Sequence, residues 1–141
     1  MANAIYDKYK EALLSGAVNS SLTTETVKVS LIDANIAAEP FIATDEFYDD
    51  VTTANSVLAT VTLSNVTVTN GVLDADDITF TSVSDTSTDG DADALLFWID
   101  TGNTATSRLV AWMDTNIDGL PITPDGSDID VTWAVDGIFK L

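Results

Sequence analysis

Neither cysteine nor histidine occurs in this chain of 141 residues, lysine and arginine together number only 5, and proline only 3. Each shortage closes off some chemistry. Without cysteine there are no disulfides, thiol nucleophiles or thiolate zinc sites, and such a chain fits synthesis in a reducing cytoplasm. Without histidine the commonest general base and transition-metal ligand is missing, and with it the Ser-His and Cys-His nucleophile pairs. The cations Lys8, Lys10, Lys28, Arg108 and Lys140 are too few to neutralise a phosphate backbone or an anionic lipid surface, so neither nucleic acid nor membrane is an expected partner. No run approaches the roughly 18 apolar residues that span a bilayer. The opening MANAIYDKYKEALLSGAV places Asp7, Lys8, Lys10 and Glu11 where an export signal needs an uninterrupted apolar stretch, so the expectation is a soluble protein made in the cytoplasm.

What the chain does have is acid. Asp and Glu number 23, giving a formal charge of −18. High charge alone would suggest disorder, but 45% hydrophobic residues, with 3 Trp and 5 Phe, supply a core. The length suits one domain, residues 1–141, able to fold without metal or disulfide staples. The charge is then a solvated, self-repelling surface.

Hydrophobic periodicity divides the chain in two. Ile5, Tyr9, Ala12 and Leu13 recur at helical spacing, which predicts a helix over 3–15, capped by Asn3 and ended by Gly16, within an N-terminal arm of residues 1–20. From Thr26 the period becomes two: TVKVSLID sets Val27, Val29 and Leu31 against Lys28 and Ser30, the pattern of a half-buried strand. Further β-rich runs occupy 56–63, 65–73, 77–83, 94–100, 107–114, 128–135 and 137–141. The predicted fold is mainly β, an antiparallel β-sandwich or Greek-key barrel over 26–141 with a short N-terminal helix. Asn70-Gly71 and Asp136-Gly137 are tight-hairpin signals. Residues 35–55 alternate poorly and read as a long connection, with a helical turn over 45–50 and Phe41, Phe47 and Tyr48 as anchors to the core.

Two acidic stretches fit the opening of a calcium-loop pattern. In DTNIDG, Asp114, Asn116 and Asp118 alternate, Gly119 follows, and Asp125 stands at the twelfth place. In DTSTDGDADALL, Asp85, Ser87, Asp89, Asp91 and Asp93 have the right spacing, but Leu96 replaces the bidentate acid. An EF-hand loop enters a helix before its twelfth position, and Pro121 and Pro124 oppose one here. Both stretches therefore read first as solvated loops between strands, with a non-EF calcium site as the alternative; no cofactor is expected. Crowded acids alone do not make the paired-carboxylate cleft of glycoside chemistry, and a lone Arg108 makes no phosphate clamp, so a non-enzymatic role is expected. Phe97, Trp98, Trp112 and Trp133 belong to the core, to a subunit interface or to a ligand-stacking face. The helix either closes one end of the β domain or is an arm that docks on a neighbouring subunit, in which case Ile5, Tyr9 and Leu13 join Trp98 and Trp112 as interface candidates.

The opening MANAIYDKYKEALLSGAVN and the following TVKVSLID resemble the start of a group of small structural proteins encoded in the virion modules of tailed bacteriophages. The closing DTGNTATSRLVAWMDTNIDGLPITPDGSDIDVTWAVDGIFKL is similar to the group's ending. The resemblance implies a virion component and carries over no residue roles; DTSTDGDADA departs from the shorter loop of the group. A charge of −18 would be repelled by packaged DNA, which points to the outer capsid surface. The expected function is that of a capsid decoration, or cement, protein. It would be a homo-oligomer, trimeric by analogy with threefold capsid sites, bridging subunits of the major capsid protein. A tail or neck component, or a host-surface glycan-binding module using Trp98, Trp112 or Trp133, are the alternatives.

Overall fold

The structure, a computed structural model, describes residues 3–35, 41–52, 56–84 and 91–141. Its element order is β1 (Ala4–Ile5), α1 (Asp7–Ser15), β2 (Thr26–Ile32), α2 (Tyr48–Val51), β3 (Val57–Thr62), β4 (Thr67–Thr69), β5 (Val72–Asp74), β6 (Ile78–Phe80), β7 (Ala94–Asp100), β8 (Leu109–Met113), β9 (Ile129–Val131) and β10 (Phe139–Lys140). The fold is mainly β, with antiparallel sheets and a short N-terminal helix, as its periodicity predicts. Five strands form one sheet in the order β1-β8-β7-β2-β3, and two smaller sheets, β10-β5-β4 and β6-β9, accompany it.

The large sheet is built around β7. All six residues from Ala94 to Ile99 are buried, because both faces of this strand are covered. Cross-strand partners share a face, so the register Val29↔Phe97 and Leu31↔Leu95 defines one apolar side. There Phe97 meets Trp133 at 5.7 Å and Phe139 at 6.1 Å between ring centroids, which brings the small sheets over it. On the opposite side, Trp98 stacks on Tyr48 at 4.1 Å and its indole Nε1 donates to the buried Ser30 Oγ at 2.9 Å. Ser30 Oγ also shares hydrogen bonds with Thr60 Oγ1 at 2.9 Å and Tyr48 Oη at 3.3 Å. Phe97 and Trp98 do point to opposite faces, and both are buried.

The connection between β2 and β3 behaves as its aromatics suggest. Phe41 packs on Tyr6 at 4.9 Å, and the Arg108 guanidinium lies 5.7 Å from the centroid of the Phe47 ring. Tyr48 N–H donates to Ser107 O and Leu109 N–H to Glu46 O, tying the connection to the start of β8. The expected helical turn is real but shifted, since α2 begins at Tyr48; residues 36–40 and 53–55 of this stretch lie outside the described residues.

Two local expectations are corrected. The helix over 3–15 is shortened, because Ala4 and Ile5 instead pair with Trp112 and Ala111 of β8, and α1 starts at Asp7 after Tyr6, with no side-chain cap. Asn3 does not cap it: its Oδ1 accepts from the N–H groups of Asp114 and Thr115 while its Nδ2 donates to Thr115 O. A two-residue strand won because pairing with β8 satisfies backbone groups that a frayed first turn would leave to water. Gly16 does end the helix, left-handed at φ 65°. Asn70 and Gly71, at φ 54° and 79°, make the expected hairpin between β4 and β5. Asp136-Gly137 does not join paired strands, since β9 pairs with β6 and β10 with β5; the turn carries the chain from one small sheet to the other.

Gly137 is held there by space as well as by its φ of 100°. A Cβ would strike Val72 Cγ1 and come within 2.9 Å of Leu73 O. Gly137→Ala is therefore expected to destabilise the fold by about 2 to 4 kcal/mol, through backbone strain plus overpacking. Denaturant unfolding checks this, with Gly102→Ala, also at positive φ but with open space around it, as the milder comparison.

Candidate functional site

Among the described residues, the acidic loops bring no three acidic side chains together. The stretch 114–128 links β8 to β9 with no helix. Asp114 Oδ2 accepts from Trp112 Nε1 at 3.0 Å and Oδ1 from Thr115 Oγ1 at 2.9 Å, so its carboxylate holds a buried indole. Asn116 stands at φ 57° and is exposed, as is Asp118. Asp125 Oδ1 accepts from the Ser127 N–H at 3.0 Å, closing a local turn, and these bonds hold its pKa below the usual carboxylate range. The second loop meets this one. Ala92 and Ile122 exchange two backbone hydrogen bonds, and Thr123 Oγ1 donates to Asp91 Oδ1. Asp93 Oδ1 accepts from the Ala34 N–H at 2.8 Å. Asp85 and Asp89 lie outside the described residues, among which no group of three or more acidic side chains comes together. Asp114 and Asp125 are thus engaged in loop structure, while Asn116 and Asp118 stand exposed beside them.

The interface candidates divide in the same way. Tyr9, Trp98 and Trp112 are buried within the chain's own core, and the Tyr9 hydroxyl donates to Ser20 O; as contacts with another molecule they are corrected. Ile5 and Leu13 remain half-buried at the surface. Of the tryptophans a glycan platform would need, only Trp133 reaches the surface, and its Nε1 is engaged by Asp76 O at 2.9 Å. The periodicity did mark Tyr9 as apolar-facing; what it could not tell was that Ser20 and the chain beyond would cover it.

Composition obscured a different feature, the distribution of the acids. None of the 23 carboxylates falls in residues 12–24, 51–73, 101–113 or 137–141. Three of these runs come together where α1 closes the sandwich beside β10 and β4. A groove of about 300 Å³ is lined by Ile5, Ala111, Met113 and Phe139 and edged by Lys10 and Lys140. Beyond α1 a pocket of about 200 Å³ is formed by Tyr9, Leu13, Leu22, Val68 and Leu141 with Ser20 and neighbouring hydroxyl residues. Neither lining contains an acid. Leu14 is 91% and Val18 79% exposed on the same acid-free run. Of the other cations, Lys28 is paired with Asp100 at 2.6 Å and Arg108 with Glu46 at 3.0 Å, and Lys8 pairs with Glu11. Lys10, although 2.8 Å from Asp7, and Lys140 are the two that edge a groove with apolar walls. An apolar surface of this kind, bounded by cations on an otherwise acidic body, suits contact with another macromolecule.

Compared with protein-family models and with curated proteins, the chain matches none.

Two outcomes follow for the carboxylates. Asp114→Ala is expected to lower stability by about 1 to 3 kcal/mol through the orphaned Trp112 indole, equally in calcium and in chelator; a loss confined to calcium-containing buffer would restore the cation reading. Burial is the main cause of the raised Asp93 pKa, with Asp33 and Asp91 adding repulsion. A carboxyl whose folded pKa is raised costs stability as pH climbs through its unfolded value, about 4. Asp93→Asn should therefore raise the melting temperature at pH 7, and the gain should shrink toward zero as pH falls below about 4.

Proposed function

We propose that this protein is a non-enzymatic decoration protein of a bacteriophage head, bound to the outer surface of the major capsid protein. The observation that carries the reading is the segregation of charge. In a chain of −18, the groove of Ile5, Met113 and Phe139 between Lys10 and Lys140 has no acid in its lining, Asp7 reaching it only as the partner of Lys10. A body so charged is repelled by packaged DNA and resists close approach to other anionic surfaces, which favours the exterior of the head. The apolar groove supplies contact area, and the two ammonium groups orient it toward a surface bearing carboxylates or carbonyls. The similarity of both ends of the chain to small phage virion proteins supports a virion component, and the charge selects its place. Binding to the assembled shell and not to free subunits would stabilise the filled head by mass action.

The test is co-sedimentation of purified protein with heads of its phage stripped of accessory proteins. Saturable binding at a fixed ratio to the capsid subunit is expected, and the double substitution Lys10→Glu with Lys140→Glu should weaken it by about tenfold or more. Folded protein that stays in the supernatant would overturn the reading.

A further inference from the structure

The sheet β10-β5-β4 ends in a strand that lacks the usual protection of a monomer's edge. All three residues of β4 are exposed. Solitary edge strands are kept from pairing by charge, proline, bulges or a covering element. β4 and its flanks, Asn65 to Gly71, carry no charge and no proline, although the chain places 23 acids elsewhere. Val68 lies opposite Leu73, so it shares the face of a residue that is only 1% exposed, yet it is itself 48% exposed. Beside it the apolar pocket formed with Leu13, Leu22 and Leu141 opens to solvent. The core of the sandwich is therefore unfinished at this end.

We infer that β4 pairs antiparallel with β4 of a second copy of this chain, about a twofold axis through Val68. Thr67-Val68-Thr69 reads the same in both directions, so the axis would set Val68 against Val68 of the partner subunit, with threonine opposite threonine on either side. This is the self-complementarity an isologous contact requires. The small sheet becomes a continuous six-stranded one, and the two open pockets adjoin across the axis. Charge selects a second copy over a foreign partner. Two bodies of −18 repel wherever their acids meet, and the acid-free runs 12–24, 51–73 and 137–141 offer the surface where they can touch, with Asp74, opposite Thr67, and Asp76, which accepts from Asn65 Nδ2, beside it on the β5 side of the strand and not on its free edge. A basic partner would be drawn to the acidic loops instead, and an acidic one has no cation on β4 to engage. The symmetry is twofold, in place of the threefold arrangement expected by analogy with capsid sites. The inference does not depend on the capsid reading, since it concerns the free protein.

Residual repulsion between the bodies is screened at high ionic strength, so the dimer should strengthen with salt, the opposite of an ion-paired interface. Sedimentation velocity of the full chain at about 100 µM, in roughly 0.05 M and 0.5 M salt, is expected to show a dimer whose fraction rises with salt. Val68→Asp, which sets two carboxylates on the axis, should give monomer at both. Because the chain has no cysteine, Val68→Cys offers a second readout that does not depend on the stability of the Asp variant. Under mild oxidant it should form a disulfide-linked dimer far faster than Val135→Cys, whose position is 98% exposed on another turn. A wild-type monomer at both salts, a dimer that Val68→Asp leaves intact, or equal cross-linking of the two cysteine variants would each overturn the inference.

Discussion

Everything else in this fold rests on the double burial of β7. A strand covered on one face needs alternation; a strand covered on both needs a continuous apolar run, and Ala94 to Ile99 provides one. Once that strand is central, its neighbours inherit their roles. β2 gives Val29 and Leu31 to one face and the Ser30 hydroxyl to the other, and the connection carrying Tyr48 must lie where the Trp98 indole would otherwise be left against water. Ser30 is a fully buried polar residue in this layer, and it is satisfied from three directions, by Trp98, Thr60 and Tyr48. Removing its hydroxyl would strand a buried indole N–H, so a small polar side chain fixes the position of an otherwise apolar seam.

The second constraint is electrostatic. A charge of −18 on 141 residues disfavours compaction through self-repulsion, and the fold manages it by keeping most acids on loops, helices and strand ends while the partly buried cations Lys8, Lys28 and Arg108 are each matched by a carboxylate. Lys28 bridges Asp100 beside the Trp98 ring, and that ammonium together with the Gly102 N–H holds the Asp100 pKa below the usual carboxylate range. The stability this pair adds is present above about pH 4 and is lost as pH falls through the folded pKa of Asp100. Asp93 works in the opposite sense. Acid therefore removes one contribution while relieving another, and the stretch carrying Asp93 responds differently from the end of β7.

Where the sequence was legible, and where not, follows from which interactions are local. Strands β2, β3, β7 and β8 were readable because side-chain alternation or a continuous apolar run is printed in the residues themselves, and the Asn70-Gly71 hairpin because both residues accept positive φ. The N-terminal strand was hidden, since Ala4 favours helix and Ile5 strand, and their partners stand over a hundred residues away in β8. Asp136-Gly137 showed a turn correctly and its use wrongly: a dipeptide specifies a reversal of the chain, while pairing depends on which sheet each flanking strand joins. The tryptophans could be read as core, interface or stacking residues without a choice among these, because periodicity along one strand cannot reveal a second covering layer. The calcium pattern is weak evidence for a related reason. Alternating acids at the right spacing are cheap in a chain with 23 of them, and whether they converge depends on backbone geometry that spacing alone does not determine.

The acid-free runs were equally visible in one dimension, yet they acquire meaning only when α1, β4 and β10 bring them to one end of the molecule. A random scatter of 23 acids over this length would put several into residues 51–73 and 12–24; their exclusion from segments that then meet around exposed Val68, Leu141 and Leu14 is a spatial property. An exposed apolar surface costs solubility, and a strongly charged body can carry one only because repulsion elsewhere limits the ways two copies approach. In the proposed dimer, the same acids that oppose indiscriminate aggregation would confine association to the faces without them. On this argument the charge of the chain is a device for specificity: adding acids to the neutral face would leave the core intact while abolishing contacts, and removing them from the loops would open routes to association that the native surface forbids.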